Sequence, residues 1–414
     1  MSKEADKTGL GIAIDLGTTT IAGALVDLGS GSIEVSASLP NPQAAWGRDV
    51  ISRMDAALGG PDSLGEISAA ARSACSGLIG KLAGERKPLV QEVSIAGNTV
   101  MEHLFLGISP EPLSKVPYRP VFRDAKRIPA SQAELGCDAG IYLFPLIGGF
   151  VGGDAVAVAL ALGLKKTKRP ALVIDVGTNS EILLGVNGTV FATSAAAGPA
   201  FEGGEVEQGM IAGPGAIEGL RTEGDTLRLD VIGNSAPRGI CGSGLVESIH
   251  QLINAGVIDR SGRILDRDEV KTNLASRIQP GKDGNSFVLY RDAKGEVRIN
   301  QSDVRSLQTA KSATRAGMAV LLEKAGVKPE EVERVYVAGA FGAHLSPAAL
   351  TGIGLLDSLW QEVRFVGDAA LEGAALALSD RKKEEAEELA ETAKYMPLSG
   401  SPRFEREFIR NMGF

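Results

Sequence analysis

Residues 14–20 read IDLGTTT and residues 174–180 read IDVGTNS, two nearly identical stretches that lie far apart in the chain. In each stretch an apolar strand ends in an Asp, a turn with Gly follows, and hydroxyl or amide side chains lead into a second apolar strand. Gly allows the backbone of such a turn to approach an anion closely, and its N–H groups and the Thr hydroxyls can donate to that anion. An Asp beside the turn suits hydrated Mg²⁺, which takes one or two carboxylates with phosphate oxygens. The pair of hairpins predicts a site that grips the phosphates of ATP from both sides.

A third segment, residues 335–342 (VYVAGAFG), places small residues where a strand meets the next helix. Adenine and ribose can lie against the backbone at such a point. No GxxxxGK[ST] segment occurs, which excludes a Walker-type NTPase. The ATP-binding residues predicted from the three segments are Gly17, Thr18, Thr19, Thr20, Gly177, Thr178, Asn179, Gly339, Ala340, Phe341 and Gly342.

The three segments resemble the phosphate-1, phosphate-2 and adenosine motifs of the actin, sugar-kinase and heat-shock-chaperone ATPase superfamily. Residues 145–154 (PLIGGFVGGD) and 366–374 (VGDAALEGA) resemble its two connecting motifs and stand in the expected order. The resemblance implies an α/β fold of two actin-like lobes, which are duplicated ribonuclease H-like domains with a nucleotide cleft between them. Gly198, Gly203, Gly242 and Lys311 are further candidates for the nucleoside pocket, with close packing for the glycines and a surface charge for the lysine as the alternatives.

The resemblance also suggests catalytic roles. It implies that Asp15 holds Mg²⁺ through water and that Asp175 helps to position the water that attacks the γ-phosphate. Asn98 would lie near the γ-phosphate, although an Asn between a strand and a helix is equally typical of an N-cap.

Four more segments point to one family within the superfamily. Residues 96–104 (AGNTVMEHL), 148–152 (GGFVG), 197–203 (AGPAFEG) and 239–245 (GICGSGL) resemble reductive activators of corrinoid proteins. Those ATPases return inactive cobalt(II) to cobalt(I), so the resemblance implies a corrinoid protein as partner and a homodimer as a family expectation. Many such activators carry an N-terminal ferredoxin-like domain, whereas the first hairpin begins here at about residue 9.

Cys75, Cys137 and Cys241 are the only cysteines, and they form no CxxC motif. One chain cannot supply the four thiolates of an ordinary iron–sulfur cluster, and the alternative is a cluster shared across a dimer with two cysteines from each subunit. We therefore expect no cluster in this chain, and electrons from a separate iron–sulfur protein or from an absent domain.

Two other functions are compatible with the fold. The chain could be a small-molecule kinase, although the stretch between Asn98 and Gly148 shows no clear catalytic Asp of the sugar-kinase kind. It could also be an ATPase that remodels a partner, although it has no appended peptide-binding domain.

The length and composition limit the number of domains, the kind of partner and the cellular location. The chain has 414 residues, which favours two lobes over one core. Its net charge of −8 argues against a nucleic-acid partner. It shows neither an apolar signal stretch nor an uninterrupted apolar run of membrane-spanning length, which predicts a cytoplasmic protein without a membrane association.

The expected organisation has three parts. A first lobe covers residues 9–168, a second covers 169–378 with an inserted hairpin region at about 260–300, and a C-terminal helix and tail at 379–414 pack back on the first lobe. Helical periodicity predicts long helices at 61–83 and 302–325, and the prolines of 110–129 predict an irregular excursion.

Overall fold

The chain forms two compact units, each built from several stretches. The computed structural model describes residues 9–293, 295–339, 345–360 and 362–414. The first unit comprises the chain up to Lys168 together with Gly185–Ala192 and Asp368–Met396. The second unit comprises Arg169–Leu184, Thr193–Gly367 and Pro397–Phe414.

Strands and helices alternate along the chain. The strands are β1 (Leu10–Leu16), β2 (Thr20–Asp27), β3 (Ile33–Pro40), β4 (Val90–Gly97), β5 (Lys126–Pro129), β6 (Gly140–Leu143), β7 (Ala171–Asp175), β8 (Asn179–Val186), β9 (Thr189–Ala196), β10 (Ala216–Glu223), β11 (Thr226–Val231), β12 (Gly239–Ile240), β13 (Ile278–Gln279), β14 (Ser286–Asp292), β15 (Gly295–Asn300), β16 (Arg334–Ala338), β17 (Val363–Gly367) and β18 (Lys394–Tyr395). The helices are α1 (Val50–Ala57), α2 (Pro61–Ala83), α3 (Thr99–Leu106), α4 (Gly153–Ala161), α5 (Gly242–Asn254), α6 (Gln301–Ala325), α7 (Pro347–Gly352), α8 (Ala369–Leu376), α9 (Asp380–Thr392) and α10 (Pro402–Arg410).

A six-stranded sheet in the order β3-β2-β1-β4-β6-β5 forms the centre of the first unit. β1, β2 and β3 are antiparallel neighbours, whereas β4 runs parallel to β1 and β6 runs parallel to β4. Every residue of β1 is buried except the half-buried Asp15. Parallel strands end at the same edge, so Asp15 lies opposite Ala96 and Leu16 lies opposite Gly97. This edge is where the predicted phosphate turn and Asn98 come together.

Helix α2 covers one face of this sheet and has the bounds that its periodicity predicts. Its residues Ile67, Ala71, Cys75 and Leu78 are fully buried and recur at helical spacing. Each large apolar side chain buried in this way stabilises the fold by about 1.5–3 kcal/mol. β2 makes room for the helix at Gly23, where a Cβ atom would lie 2.9 Å from Leu78.

Helices α8 and α9 complete the first unit although they follow most of the second unit in sequence. α8 packs on α4 and β1. It approaches α4 so closely that a Cβ atom on Gly373 would overlap the carbonyl group of Ala157. In α9 the buried Lys383 binds Glu92 and also pairs with Asp380 at 2.8 Å.

The second unit repeats the strand arrangement of the first. Its sheet contains the order β17-β16-β7-β8-β9, in which β7 holds the position of β1 and β16 that of β4. β16 runs parallel to β7, and β17 runs parallel to β16. The duplication that the two hairpins predict is therefore confirmed at the level of strand order. The short β18 pairs with Phe191 and Ala192, which group with the first unit.

Two smaller sheets belong to the second unit. They have the orders β11-β10-β12 and β13-β14-β15. The latter lies within the region at about 260–300 and is antiparallel throughout.

The C-terminal tail corrects one expectation. α9 groups with the first unit, whereas Pro397–Phe414, which was expected with the first lobe, groups with the second unit. The reason is that α10 packs along α6. Arg403 pairs there with Glu323 at 2.9 Å, and Ser312 donates to the Asn411 carbonyl at 2.8 Å.

One strand was also missed. The segment 110–129, expected to be irregular, ends in β5, which pairs antiparallel with β6. Its four residues are too few to show a periodic pattern, and its partner lies beyond the local sequence. None of the helices within the described ranges combines the length and apolar character needed to cross a membrane.

Candidate functional site

The turn between β1 and β2 carries the predicted phosphate ligands of the first unit. It leads from Asp15, near the carboxyl end of β1, to Thr20 at the start of β2. A Cβ atom on Gly17 would overlap the Thr20 carbonyl oxygen, so no larger residue fits this turn unchanged. A turn this tight brings successive N–H groups and hydroxyls together, which is the arrangement that binds anions.

Two residues that the sequence did not single out hold the carbonyl groups of this turn. Asn41 donates from Nδ2 to the Gly17 carbonyl at 2.8 Å and from its backbone N–H to the Thr19 carbonyl at 2.9 Å. Arg53 donates from Nη2 to the Thr18 carbonyl at 2.7 Å. The N–H of a trans peptide points opposite to its C=O. The N–H groups that follow these carbonyls therefore point away from Asn41 and Arg53.

Arg53 is a buried cation with a structural task. Its side chain is fully buried, and Nε donates to the Gly47 carbonyl at 2.9 Å. Burial lowers the pKa of Arg53 to about 10 while Asp49 opposes the shift, so the guanidinium remains charged at neutral pH. A buried charge requires partners. Arg53 therefore ties the phosphate turn to α1 and to the loop at Gly47.

Asn98 caps helix α3. Its Oδ1 accepts from the Val100 N–H at 3.1 Å, and its Nδ2 donates to the Phe150 carbonyl at 3.2 Å. The structure thus shows the capping role. The role near a γ-phosphate stays a prediction.

Two carboxyl groups, the buried Glu102 and the half-buried Asp154, lie in the first turns of α3 and α4, and the sequence analysis predicted neither as a site residue. Glu102 is fully buried, and its Oε1 accepts from the Gly97 N–H at 3.2 Å. Burial, and next the negative charge of Asp154, raise the pKa of Glu102 well above 4.5. Burial also raises the pKa of Asp154 to about 6. The protonated form of Glu102 is therefore favoured over the charged form more strongly than it is for a carboxyl group in ordinary solvent.

In the second unit, the structure brings together Asp175 and the start of the predicted adenosine segment. Asp175 ends β7 opposite Ala338 of β16. Gly339 follows with φ of +93°, and a Cβ atom there would lie 3.0 Å from Asp175 Oδ1 and 2.9 Å from the Val176 carbonyl. Gly is required at this position both for its backbone conformation and for the close approach to Asp175.

The turn after Asp175 already holds an anionic oxygen. The backbone N–H of Thr178 donates to Glu202 Oε1 at 2.8 Å, and its hydroxyl donates to the same oxygen at 3.2 Å. A Cβ atom on Gly177 would lie 3.2 Å from that oxygen. The turn thus has the donors and the space for one anionic oxygen.

The glycines predicted to complete the nucleoside pocket surround this turn. Gly198 donates its N–H to the Thr178 carbonyl at 2.9 Å, and Gly203 ends the short helix that carries Glu202. Gly242 begins α5, and a Cβ atom there would overlap the Phe201 carbonyl. Close packing therefore explains Gly242, while Gly198 lies directly beside the phosphate-2 turn.

Lys311 is not a surface charge. It is 1% exposed, donates from Nζ to the Gly413 carbonyl, and lies 5.5 Å from the centre of the Phe414 ring. Burial, with a smaller effect of Arg315, lowers the pKa of Lys311 to about 8. The structure therefore shows the side chain of Lys311 in contact with the C-terminal tail.

Three of the predicted nucleoside contacts, Ala340, Phe341 and Gly342, lie outside the described residues.

The residues present fit ATP and Mg²⁺. The Thr178 donors hold a carboxylate oxygen, which resembles a phosphate oxygen in charge and size, and the turn at Gly17 is tighter still. Within the described ranges, no cluster of three or more His, Cys, Asp or Glu side chains could hold a metal ion. Mg²⁺ bound through one carboxylate, water and phosphate oxygens needs no such cluster.

Two sheets with the same strand order, each with an Asp-x-Gly-Thr turn after its first strand, define the actin-like ATPase fold. The chain belongs to the RACo family. The model of the C-terminal domain of RACo, the ASKHA domain, matches residues 169–414, and the model of the RACo middle region matches residues 10–167.

Relatives cover the whole chain. It is 35% identical over 431 aligned residues to the corrinoid activation enzyme RamQ of Eubacterium limosum, covering 100% of this chain and 72% of that protein. It is 25% identical to the [Co(II) methylated amine-specific corrinoid protein] reductase of Methanosarcina barkeri, and the alignment covers 78% of this chain and 63% of that protein. A solved structure of a reductive activator for a corrinoid, iron–sulfur protein superposes with a TM-score of 0.87 at 36% identity, covering 100% of this chain and 67% of that one.

Proposed function

We propose that this chain is the ATP-dependent part of a reductive activator that returns a corrinoid protein from cobalt(II) to cobalt(I). The observation that carries the proposal is the match to RACo along both units, together with 35% identity to a corrinoid activation enzyme. The two Asp-x-Gly-Thr turns support the ATP dependence because they supply the backbone and hydroxyl donors that nucleotide phosphates require.

In this proposal the chain's residues bind and orient the nucleotide. The turn from Gly17 to Thr20 and the turn from Gly177 to Asn179 donate to phosphate oxygens, and Gly339 leaves room for the nucleoside. Asp15 would hold Mg²⁺ through water, and the ion would supply positive charge beside the phosphates. Asp175 orients the attacking water.

The chemical task is one-electron reduction of a cobalt ion that belongs to the substrate protein. Cobalt(II) gains one electron, and ATP supplies none. A one-electron deficit of about 59 mV corresponds to about 1.4 kcal/mol. ATP can offset such a deficit only if its binding or hydrolysis favours one state of the complex over another. A complex held with a cobalt ligand displaced would be easier to reduce.

We propose that the electron donor lies outside these 414 residues, because the three cysteines of one chain are fewer than the four thiolates of an iron–sulfur cluster. We therefore propose an iron–sulfur protein or domain as donor and a corrinoid protein as substrate. ATP and strong reductants are supplied together in the cytoplasm, which is the compartment we propose. The net charge of −8 disfavours nucleic acid as an additional partner. A homodimer stays a prediction.

Anaerobic visible spectroscopy tests the proposal. A cobalt(II) corrinoid protein encoded in the same genome is mixed with this chain, a chemical reductant and MgATP, and the cobalt(I) absorption is followed. We expect cobalt(I) to appear only when ATP and the chain are both present, and to fail with Asp175→Ala. The reductant replaces the natural donor, so the absence of ATP-dependent cobalt(I) while the chain hydrolyses ATP would contradict the proposal.

A further inference from the structure

Glu202 occupies two donors of the predicted phosphate-2 turn. One carboxylate oxygen of Glu202 accepts both the N–H and the hydroxyl of Thr178, at 2.8 and 3.2 Å. Charge-assisted bonds of this kind are about twice as strong as neutral ones. A phosphate oxygen would use the same two donors, and only one anionic oxygen can accept from both at once.

The backbone around Glu202 permits its side chain to leave without unfolding the segment. Glu202 ends the short helix Pro199–Glu202, which lies between Gly198 with φ of +79° and Gly203 with φ of +78°. Phe201 is fully buried and anchors this helix. The side chain of Glu202 is half-buried, so rotation of its own torsions can move the carboxylate toward solvent while Phe201 stays in place.

We propose that Glu202 is an internal anion that competes with the nucleotide for the Thr178 donors and thereby sets which anions the turn admits. The proposal rests on the proposed function, since it concerns the same ATP site. Inorganic phosphate has few other contacts with which to displace a tethered carboxylate. ATP with Mg²⁺ also gains contacts from its nucleoside and from the metal ion. The competition therefore lowers the affinity for both anions and excludes inorganic phosphate in practice.

The effect of Glu202 on affinity depends on the fraction of molecules in which its carboxylate has left the turn. If the turn accepts phosphate only when Glu202 has left, the apparent dissociation constant equals the intrinsic one divided by the fraction of open turns. A Glu202→Gln side chain keeps the shape but loses the charge that strengthens its bonds to Thr178. We expect it to bind MgATP about tenfold more tightly, a difference of about 1.4 kcal/mol.

Isothermal titration calorimetry with MgATP and with inorganic phosphate provides the test. The matched control is Glu205→Gln, which removes the same charge from an exposed side chain three positions away, and it should bind MgATP as the unaltered chain does. Tighter binding of MgATP by Glu202→Gln, with detectable binding of phosphate, supports the proposal. Equal or weaker binding of MgATP by Glu202→Gln overturns it, and so does a hundredfold loss of kcat at an unchanged Kd, which would make Glu202 a catalytic base.

A second readout separates this inference from the proposed function. The backbone amide resonance of Thr178 in ¹⁵N NMR reports its bond to Glu202 without any nucleotide. We expect Glu202→Gln to shift this resonance strongly and Glu205→Gln to leave it in place. An unshifted resonance overturns the inference whatever the chain does with ATP. If the resonance shifts but neither the unaltered chain nor any variant binds MgATP, then the proposed function fails, and with it the competition.

Discussion

Replacing Gly17 with Ala tests the phosphate-1 turn most directly. The added Cβ would lie well inside 3.0 Å of the Thr20 carbonyl oxygen, a separation that real Cβ atoms essentially never show. Ordinary carbon contacts need about 3.5–4.0 Å, so the carbonyl must retreat by roughly 1 Å and the turn must open. A misplacement of about 1 Å can cost 10²-fold in a site that depends on orientation. We therefore expect the Kd for MgATP to rise by about 10²-fold.

The assay is calorimetric titration with MgATP, and circular dichroism checks that the variant is folded. The control is Gly80→Ala in α2, where a Cβ atom meets nothing within 4 Å. That change should leave nucleotide binding alone and stabilise the helix by about 1 kcal/mol. A folded Gly17→Ala chain that binds MgATP with unaltered affinity would refute the assignment of this turn.

Three further predictions concern single side chains. Arg53→Met leaves the Thr18 and Gly47 carbonyls without their donor. At about 1–1.5 kcal/mol for each partly buried acceptor, the change should lower the free energy of unfolding by about 2–3 kcal/mol, measured by denaturant titration. An unchanged midpoint would contradict the role of Arg53 in joining α1 to the turn. Glu102 has a folded-state pKa above its ordinary 4.5, so the unfolded chain releases a proton that the folded chain keeps, and stability falls as pH rises from 4.5 toward the folded-state pKa. Glu102→Gln cannot ionise and should gain about 1.4 kcal/mol over the unaltered chain for each pH unit in that window, visible as a difference in Tm that grows as the pH rises above 4.5. Asp175→Ala should abolish ATP turnover in a phosphate-release assay while its circular dichroism spectrum stays the same, and normal turnover would remove Asp175 from the site.

The sequence predicts those parts of the site whose backbone conformation is set by neighbouring residues. An Asp at the end of an apolar strand followed by a Gly turn specifies its own backbone, so Asp15, Gly17 and Asp175 lie where their motifs predict. Helix α2 is predicted to its ends for a similar reason, because its apolar positions recur at helical spacing and Pro61 begins it.

The missed features depend on contacts between distant parts of the chain. Arg53 and Asn41 reach the first turn from elsewhere in the sequence, and nothing in their neighbourhoods distinguishes them from ordinary polar residues. The hydrogen bond from Lys311 to the Gly413 carbonyl likewise joins residues that are far apart in the sequence. Glu202 lies in a segment that the family resemblance marks, but its bond to Thr178 depends on how that segment folds back.

The discontinuous first unit has a consequence for the order in which the protein acquires its core during synthesis. β1 and α4 leave the ribosome early, but α8, which covers both, follows about 200 residues after Lys168. At about 5–20 residues per second the apolar face of α4 waits roughly 10–40 s for its cover. The buried side chains of α4 are largely Ala and Val, so the apolar area exposed during this time is smaller than Leu or Phe side chains would leave.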